Sequence, residues 1–227
     1  MKLAIVIPVF NESKVIKTVI NSLPRRLKGI DKISIIAVND GSTDSSQKEI
    51  LKTDAVLLNH PINLGTGSAT ITGFEMAKKL STDIAVSIDG DGQHDPKDIE
   101  KVIEPILEQK ADLVIGSRLI KSEGMPKLKK AGNFIFNFIT FILCGRWVSD
   151  TQSGFKAISR PLLSKLRLDT MCYEICSEII IEAAQQKAIV KEVPIRVIYT
   201  SYSKSKGQSM LNGVNILTKL IFRKVKI

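Results

Sequence analysis

"AVSIDGDGQHDP", residues 85–96, ends an apolar run in two aspartates one residue apart. The residues before Asp89 are small or β-branched, which is typical of a buried strand. Gly90 and Gly92 allow a sharp turn. Asp95-Pro96 is a typical helix start, with an acid that caps and a proline in the first turn. The stretch therefore predicts a strand, a tight acidic loop and a helix.

The same alternation runs through the first half of the chain, where amphipathic stretches separate short apolar runs. It predicts βαβ units and an α/β fold, with a mostly parallel, Rossmann-like sheet flanked by helices. Ser42 or Thr43 is expected to cap the second helix. The predicted strands span 3–10, 32–39, 55–59, 83–89 and 112–117, and the predicted helices span 13–23, 43–51, 67–80 and 96–109.

The pattern changes after residue 121. A basic loop leads into residues 133–145, a segment too apolar to face water and shorter than the roughly 20 residues that span a bilayer. It either packs in the core or lies against lipid. A helix at 177–187 and a strand at 191–199 follow. Residues 209–227 predict a basic amphipathic helix, which docks either on the domain or on an anionic bilayer.

The positive charge is concentrated in the second half. The 227 residues carry a net charge of +10: residues 1–113 hold 14 basic and 16 acidic side chains, and residues 114–227 hold 19 and 7. A basic half suits phosphate groups or a membrane surface. Nucleic acid is not expected, because the few aromatics are not interleaved with the cations. With no signal-peptide pattern and no cysteine spacing for a metal, a cytoplasmic protein with free thiols is predicted.

Polar residues collect where the predicted strands end, which is where ligands bind in parallel sheets. They are Asn11, Glu12, Asp40, Asp89, Asp91 and Arg118. Two carboxylates this close repel each other unless a cation lies between them, and Mg²⁺ or Mn²⁺ suits an all-oxygen site. A solvated turn is the alternative, since Asp-Gly pairs are common in turns. Asp40 suits either a contact with a nucleobase N–H or a helix cap.

Seven motifs occur in a familiar order: "IVIPVFNE", "VNDGSTD", "NLGTGSATITGF", "DGDGQHDP", "GSR", "DTQSGFKA" and "EVPIRV…KGQS". Over residues 1–210 the chain resembles the inverting family 2 glycosyltransferases, which have the GT-A fold. The branch it resembles contains dolichyl-phosphate mannose synthase and other polyprenyl-phosphate glycosyltransferases. The resemblance implies a catalytic domain over 1–208, with a nucleotide-sugar-binding half at 1–117 and an acceptor-binding half at 118–208.

The resemblance implies a UDP- or GDP-linked sugar as donor. The implied donor-binding residues are Pro8, Phe10, Glu12, Asp40, Asp89, Gly90, Asp91 and Gln93. Asp89, Asp91 and Gln93 would hold the Mg²⁺ or Mn²⁺ ion that neutralises the departing diphosphate. The chain departs from the family pattern at Asn39, where relatives have an acid, and at Thr66, where relatives commonly have lysine.

The implied acceptor is a polyprenyl phosphate, held by Arg118, Lys129, Asn133 and Lys206. Such a phosphate is already ionised, so the catalytic need is for cations that align it. For a hydroxyl acceptor, Asp150 would act as the base, so Asp91, Arg118 and Asp150 are the predicted catalytic residues. The alternatives are transfer to a glycan hydroxyl and a lapsed, non-enzymatic scaffold that binds nucleotide sugars.

The chain is expected to act peripherally at the cytoplasmic face of the membrane. Contact with the membrane would come from the basic tail, from the helix at 133–145 or from a membrane partner protein.

Overall fold

The computed structural model describes residues 1–120 and 127–198, and the side chains of residues 127–133 lie outside that description. Seven strands form one sheet in the order β3-β2-β1-β4-β6-β5-β7. The strands are β1 (Lys2–Val9), β2 (Lys32–Asp40), β3 (Val56–His60), β4 (Ile84–Ser87), β5 (Leu113–Ser117), β6 (Lys156–Ser159) and β7 (Val190–Pro194).

The predicted parallel strands are confirmed. β1 pairs in parallel with β2 from Lys2↔Lys32 to Val9↔Asn39, and its other edge pairs in parallel with β4. These strands are buried on both faces, as their continuous apolar runs predict. Their carboxyl ends therefore meet at one edge of the sheet.

β6 was not predicted, and it is antiparallel to both of its neighbours, β4 and β5. Its four residues are too few to show a strand periodicity, and the first of them is a lysine. The sheet is nevertheless mostly parallel, as predicted. Because β5 pairs with β6 and β7, the two predicted halves of the domain share one sheet.

Helices cover both faces of the sheet, and each helix predicted within the described residues is present with shifted ends. The helices are α1 (Ile16–Ser22), α2 (Ser46–Ile50), α3 (Thr66–Lys79), α4 (Asp98–Leu107), α5 (Lys127–Cys144), α6 (Arg160–Leu163) and α7 (Ile175–Gln185). The predicted cap of the second helix was wrong: Asp44 Oδ1, and neither Ser42 nor Thr43, accepts the Ser46 N–H at 2.8 Å. Asp95 Oδ1 accepts the Lys97 N–H just before α4.

Two apolar cores lie on opposite faces of the sheet. Side chains of α1, α2 and α4 fill one of them, and side chains of α3, α6 and α7 fill the other. In the second core α3 lies so close to β1 that a Cβ at Gly73 would be 2.1 Å from Val6 Cγ1. Gly73 therefore sets the distance between this helix and the central strand.

Gly73→Ala should lower the free energy of unfolding by about 1–3 kcal/mol, because the added methyl group overpacks the helix–strand contact. In a Val6→Ala background the methyl groups that obstruct the new side chain are absent, so Gly73→Ala should lower the free energy of unfolding less. There the higher helix propensity of alanine, up to about 1 kcal/mol over glycine, offsets part of the loss. Urea unfolding of the two single variants and the double variant measures this coupling. An equal loss in both backgrounds would contradict the packing explanation.

Candidate active site

Residues 88–95, here called the acidic loop, follow β4 at the carboxyl edge of the sheet. Gly92 has a φ of +75°, and a Cβ at Gly90 would lie 3.1 Å from the Pro8 carbonyl oxygen. Asp91 Oδ1 accepts the Gln93 N–H at 2.9 Å, which closes the turn. The two glycines thus let the loop turn sharply against the end of β1.

Asp89 is held by two parts of the chain. His94 Nε2 lies 3.0 Å from Asp89 Oδ2, and on another side the carboxylate lies against the backbone of Gly154. A Cβ at Gly154 would be 2.3 Å from Asp89 Oδ1. Gly154 belongs to residues 149–155, the loop that enters β6, so this loop forms one wall of the acidic site.

The two aspartates differ electrostatically. Burial opposes the ionisation of Asp89, but the His94 hydrogen bond and nearby cations outweigh it and hold its pKa below the usual range. Burial and the charge of Asp89 raise the pKa of Asp91, and Glu12 adds to this rise. The structure thus brings together Glu12, Asp89 and Asp91 in a pocket of excess negative charge, which a cation would stabilise.

The carboxylate oxygens of Asp89 and Asp91 suit a hard divalent cation that also binds a phosphate ligand. Each aspartate has one oxygen in a hydrogen bond, whereas Asp89 Oδ1 and Asp91 Oδ2 accept none from the described residues. Within the described ranges no group of three His, Cys, Asp or Glu side chains could hold a metal. Two carboxylates need further oxygens, and substrate phosphates commonly supply these to Mg²⁺. Gln93 stays a predicted ligand.

Arg118 and Asp150 form a buried bidentate ion pair. Arg118 Nε and Nη2 donate to the two carboxylate oxygens at 2.7 Å each, and the Arg118 backbone N–H donates at 3.0 Å. Burial opposes both charges, but each partner stabilises the other, which lowers the pKa of Asp150 and raises that of Arg118. Arg118 is 22 % exposed and Asp150 is not exposed at all.

The geometry does not favour Asp150 as a base, and that role stays a prediction. A base must reach the proton that it removes. Here the side chain has no exposed surface, and both of its oxygens bind Arg118. Asp150 instead orients the guanidinium, whose Nη1 donates to no described residue. Arg118 as a phosphate ligand stays a prediction.

A second network supports this ion pair from β7. Glu192 accepts the Ser149 backbone N–H and, at 2.6 Å, the Ser149 hydroxyl. Since that hydroxyl proton is used, the Ser117 hydroxyl must donate to Ser149 Oγ across 2.7 Å. Ser117 and Ser149, which precede Arg118 and Asp150, are thereby joined by a hydrogen bond.

The end of β1 is joined to the start of α2 by side chains. Asn11 adopts a φ of +55°, and its Oδ1 accepts the Thr43 N–H at 2.9 Å. The Asn11 N–H donates to Ser42, and the Glu12 N–H donates to Ser46 Oγ at 2.8 Å. Next to this junction Phe10 is 43 % exposed. The residues at the end of β1 that are predicted to bind the nucleotide sugar are therefore held against the segment that leads into α2.

Asp40 holds the loop after β3. Its oxygens accept the backbone N–H groups of Leu64 and Gly65 at 3.0 and 2.8 Å, and His60 Nδ1 lies 2.7 Å from Oδ1. Asp40 is almost completely buried. These contacts with the loop account for both carboxylate oxygens. Recognition of the nucleobase by Asp40 stays a prediction.

Lys156 is the residue that the sequence interpretation missed. It is 1 % exposed and donates to the Ser153 carbonyl oxygen. Its charge stabilises the ionised forms of both Asp89 and Asp150. The sequence signal was a lysine directly before Ala157 and Ile158 in the short strand "KAIS". A buried lysine needs acidic partners, so such a lysine points to nearby carboxylates.

Three predicted acceptor residues are not described in atomic detail. Lys129 and Asn133 fall within α5, but their side chains lie outside the described residues. Lys206 and the predicted helix at 209–227 also lie outside the described ranges.

The buried side of α5 reaches the 149–155 loop. Asn137 donates to the Ser149 carbonyl oxygen, and its Oδ1 accepts the Thr151 N–H at 3.0 Å. The other side, here called the aromatic face, is 39–58 % exposed. It consists of Phe134, Ile135, Phe138, Phe141 and Ile142, together with Trp147, which follows the helix and packs against Phe134 and Phe141. Among the described residues no helix has the length and apolar character needed to span a membrane.

Comparison with known proteins assigns the chain to a family. Residues 4–167 match the family described as Glycosyl transferase family 2. A UDP-N-acetylglucosamine–dolichyl-phosphate N-acetylglucosaminyltransferase of Methanococcus voltae is 39 % identical over 243 residues, which cover 97 % of this chain and 95 % of that protein. A dolichol-phosphate mannosyltransferase of Pyrococcus furiosus is 30 % identical over 238 residues, which cover 100 % of this chain and 64 % of that protein.

A solved structure shares the fold. Glucosyl-3-phosphoglycerate synthase of Mycobacterium tuberculosis, crystallised with Mn²⁺, uridine diphosphate and phosphoglyceric acid, superposes with a TM-score of 0.72 at 20 % identity. The match covers 97 % of this chain and 76 % of that one. The predicted GT-A fold is confirmed, and both relatives carry names of the branch that the motifs resemble. The chain therefore belongs to glycosyl transferase family 2 and is a glycosyltransferase.

Proposed function

We propose that the enzyme transfers a sugar from a nucleotide-diphosphate donor to a polyprenyl phosphate. The observation that carries the proposal is the proximity of an acidic pair and an anchored arginine. Arg118 is close enough for its charge to lower the pKa of Asp89, and Asp150 fixes its orientation. A site for a diphosphate with its cation thus adjoins a site for a second anion.

The donor is UDP- or GDP-linked in this proposal. Relatives named for UDP-N-acetylglucosamine and for mannose transfer are both similar along the whole chain. The higher identity to the first makes UDP-N-acetylglucosamine the donor to test first. Asp89 and Asp91, with Gln93, would hold Mg²⁺ or Mn²⁺. When bound, the ion supplies Lewis-acid neutralisation of the diphosphate leaving group.

The acceptor phosphate is the nucleophile. One of its oxygens forms a bond to the anomeric carbon as the bond from that carbon to the diphosphate breaks. The electron pair leaves with the nucleoside diphosphate, and the anomeric configuration inverts. Arg118 aligns the ionised phosphate, so no side chain has to remove a proton. This fits the absence of any exposed oxygen on Asp150.

A hydroxyl acceptor would need a base, and Asp150 was the residue predicted for that role. Its burial disfavours this alternative. A lapsed scaffold is disfavoured by the intact acidic pair and by the anchoring of Arg118, since binding alone does not require a cation aligned for an acceptor.

The enzyme works at a membrane surface in this proposal, with α5 as the contact. The aromatic face is apolar and exposed, while the opposite side of α5 contacts the loop that contains Asp150. Lys127, Lys129 and Lys130 lie in the first turn of the same helix, which suits anionic headgroups. A lipid phosphate would thus be bound close to the bilayer surface.

The activity itself is tested with labelled UDP- and GDP-sugars, a short polyprenyl phosphate and Mn²⁺ or Mg²⁺. Label should pass into organic solvent with one donor, beginning with UDP-N-acetylglucosamine, and chelation of the cation should abolish transfer.

Asp91→Asn should lower turnover about 100-fold or more, because it removes a charge that binds the cation. Asp95→Asn is the matched control in the same loop and should retain turnover. No organic-soluble label with any donor would refute the lipid acceptor.

Asp150→Asn should lower the free energy of unfolding by about 3–5 kcal/mol at neutral pH, because Arg118 is left buried without its counter-charge. The folded-state pKa of Asp150 is depressed, so the pair stabilises the fold fully above the ordinary carboxyl pKa of 3.8. That stabilisation is lost as the pH falls through the folded-state pKa. The difference between the native chain and the variant in urea unfolding should therefore shrink in acid. An unaltered stability together with a lost turnover would instead indicate a base.

Membrane contact can be followed by the emission of Trp147, the only tryptophan in the chain. Vesicles that contain phosphatidylglycerol should shift this emission to the blue. Ile135→Ser/Ile142→Ser should weaken vesicle binding at least about 10-fold, since each isoleucine loses apolar burial in lipid. Leu51→Ser, which alters an exposed leucine outside the aromatic face, is the control. Equal binding of all three proteins would mean that α5 does not contact the membrane.

A further inference from the structure

His94 has no place in the reaction described above, yet it is one of the most constrained side chains of the acidic loop. It is 5 % exposed, and its Nε2 lies 3.0 Å from Asp89 Oδ2. Its other ring nitrogen, Nδ1, is buried and has no hydrogen-bond partner among the described residues. A buried histidine with one nitrogen used and the other unused calls for an explanation.

The two ring nitrogens show which group donates this hydrogen bond. A ring with its only proton on Nδ1 would bury that N–H donor without an acceptor, and Nε2 would have no hydrogen to donate. An ionised Asp89 can only accept, so the 3.0 Å contact requires a proton on Nε2. His94 is therefore the donor of this hydrogen bond.

The ring is fixed in place by its surroundings. Phe155 meets it edge-on, with ring centroids 5.3 Å apart. The His94 backbone forms a β-bridge with Val197, and the Ile198 N–H donates to the Gln93 carbonyl oxygen at 2.8 Å. Since the backbone and the ring are both held, the Nε2–H direction is set before any ligand arrives.

We propose that His94 is a positioning residue that orients Asp89 for the cation bound with the donor diphosphate. The hydrogen bond occupies Oδ2, and Gly154 lies against both carboxylate oxygens, nearest to Oδ1. The carboxylate of Asp89 is thus held in one orientation before a cation binds. This inference rests on the proposed function for its cation, and it adds a residue that acts through Asp89 without touching substrate.

The test measures Mn²⁺ affinity directly, by calorimetry in the presence of uridine diphosphate or guanosine diphosphate, for the native chain, three His94 variants and one control variant. His94→Leu and His94→Asn should weaken Mn²⁺ binding about 10- to 100-fold, the usual cost of losing a group that orients a metal ligand. Glutamine places its amide nitrogen near the Nε2 position, so His94→Gln should recover most of the affinity. Asparagine reaches only the Nδ1 position. Val102→Ala, in the α4 core, controls for general destabilisation and should leave Mn²⁺ affinity unchanged.

A second measurement needs no variant of His94. Two-bond proton–nitrogen spectra of the native chain should show a proton on Nε2 of His94. The chain has only two histidines, so a His60→Gln variant assigns the signals. Full Mn²⁺ affinity in His94→Leu, or an Nε2 without a proton, would overturn the inference.

The outcomes also separate this inference from the proposed function. Mn²⁺ binding that depends on His94, without sugar transfer to any acceptor, would refute the proposed function alone. Transfer that is insensitive to His94→Leu at limiting Mn²⁺ would refute the inference alone. A native chain that binds no Mn²⁺ with either uridine diphosphate or guanosine diphosphate would refute both.

Discussion

The repulsion between Asp89 and Asp91 is the constraint on which the rest of the site depends. Two carboxylates at the end of a buried strand can both ionise only if positive charge is close. The fold places Arg118 and Lys156 close enough to stabilise the ionised form of Asp89. The pKa of Asp91 stays raised, by burial first and then by the charge of Asp89. In the proposed function a bound cation supplies the remaining positive charge.

The unpredicted strand β6 explains how the acidic loop and the anchored Arg118 come to lie together. It enters the sheet between β4 and β5, so the loop before it passes directly beside the acidic loop. That loop carries Asp150, which anchors Arg118, and Gly154, which contacts Asp89. The residues that we propose for the donor and for the acceptor are consequently fixed by one short segment, and their separation does not depend on the movement of two domains.

Local patterns predicted the features that depend on neighbouring residues. The apolar runs located five strands, the glycines and aspartates of residues 88–95 located the acidic loop, and "GSR" located Arg118. Contacts between residues that are far apart in the sequence could not be predicted. The Arg118–Asp150 pair spans 32 residues, and no periodicity reports which acid meets which base. The sequence therefore suggested a chemical role for Asp150 but gave no sign that its carboxylate is buried and paired with Arg118.

The position of β6 also has a consequence for synthesis of the chain. β4 and β5 are adjacent in sequence, yet they are separated in the sheet by a strand that ends at residue 159. A ribosome-bound chain that has emerged only as far as β5 therefore lacks the strand that joins β4 to it. Contacts between residues so distant in sequence slow folding, because a long loop must close first. The acidic loop can reach its final shape only late in translation, which leaves nascent β4 as an exposed edge.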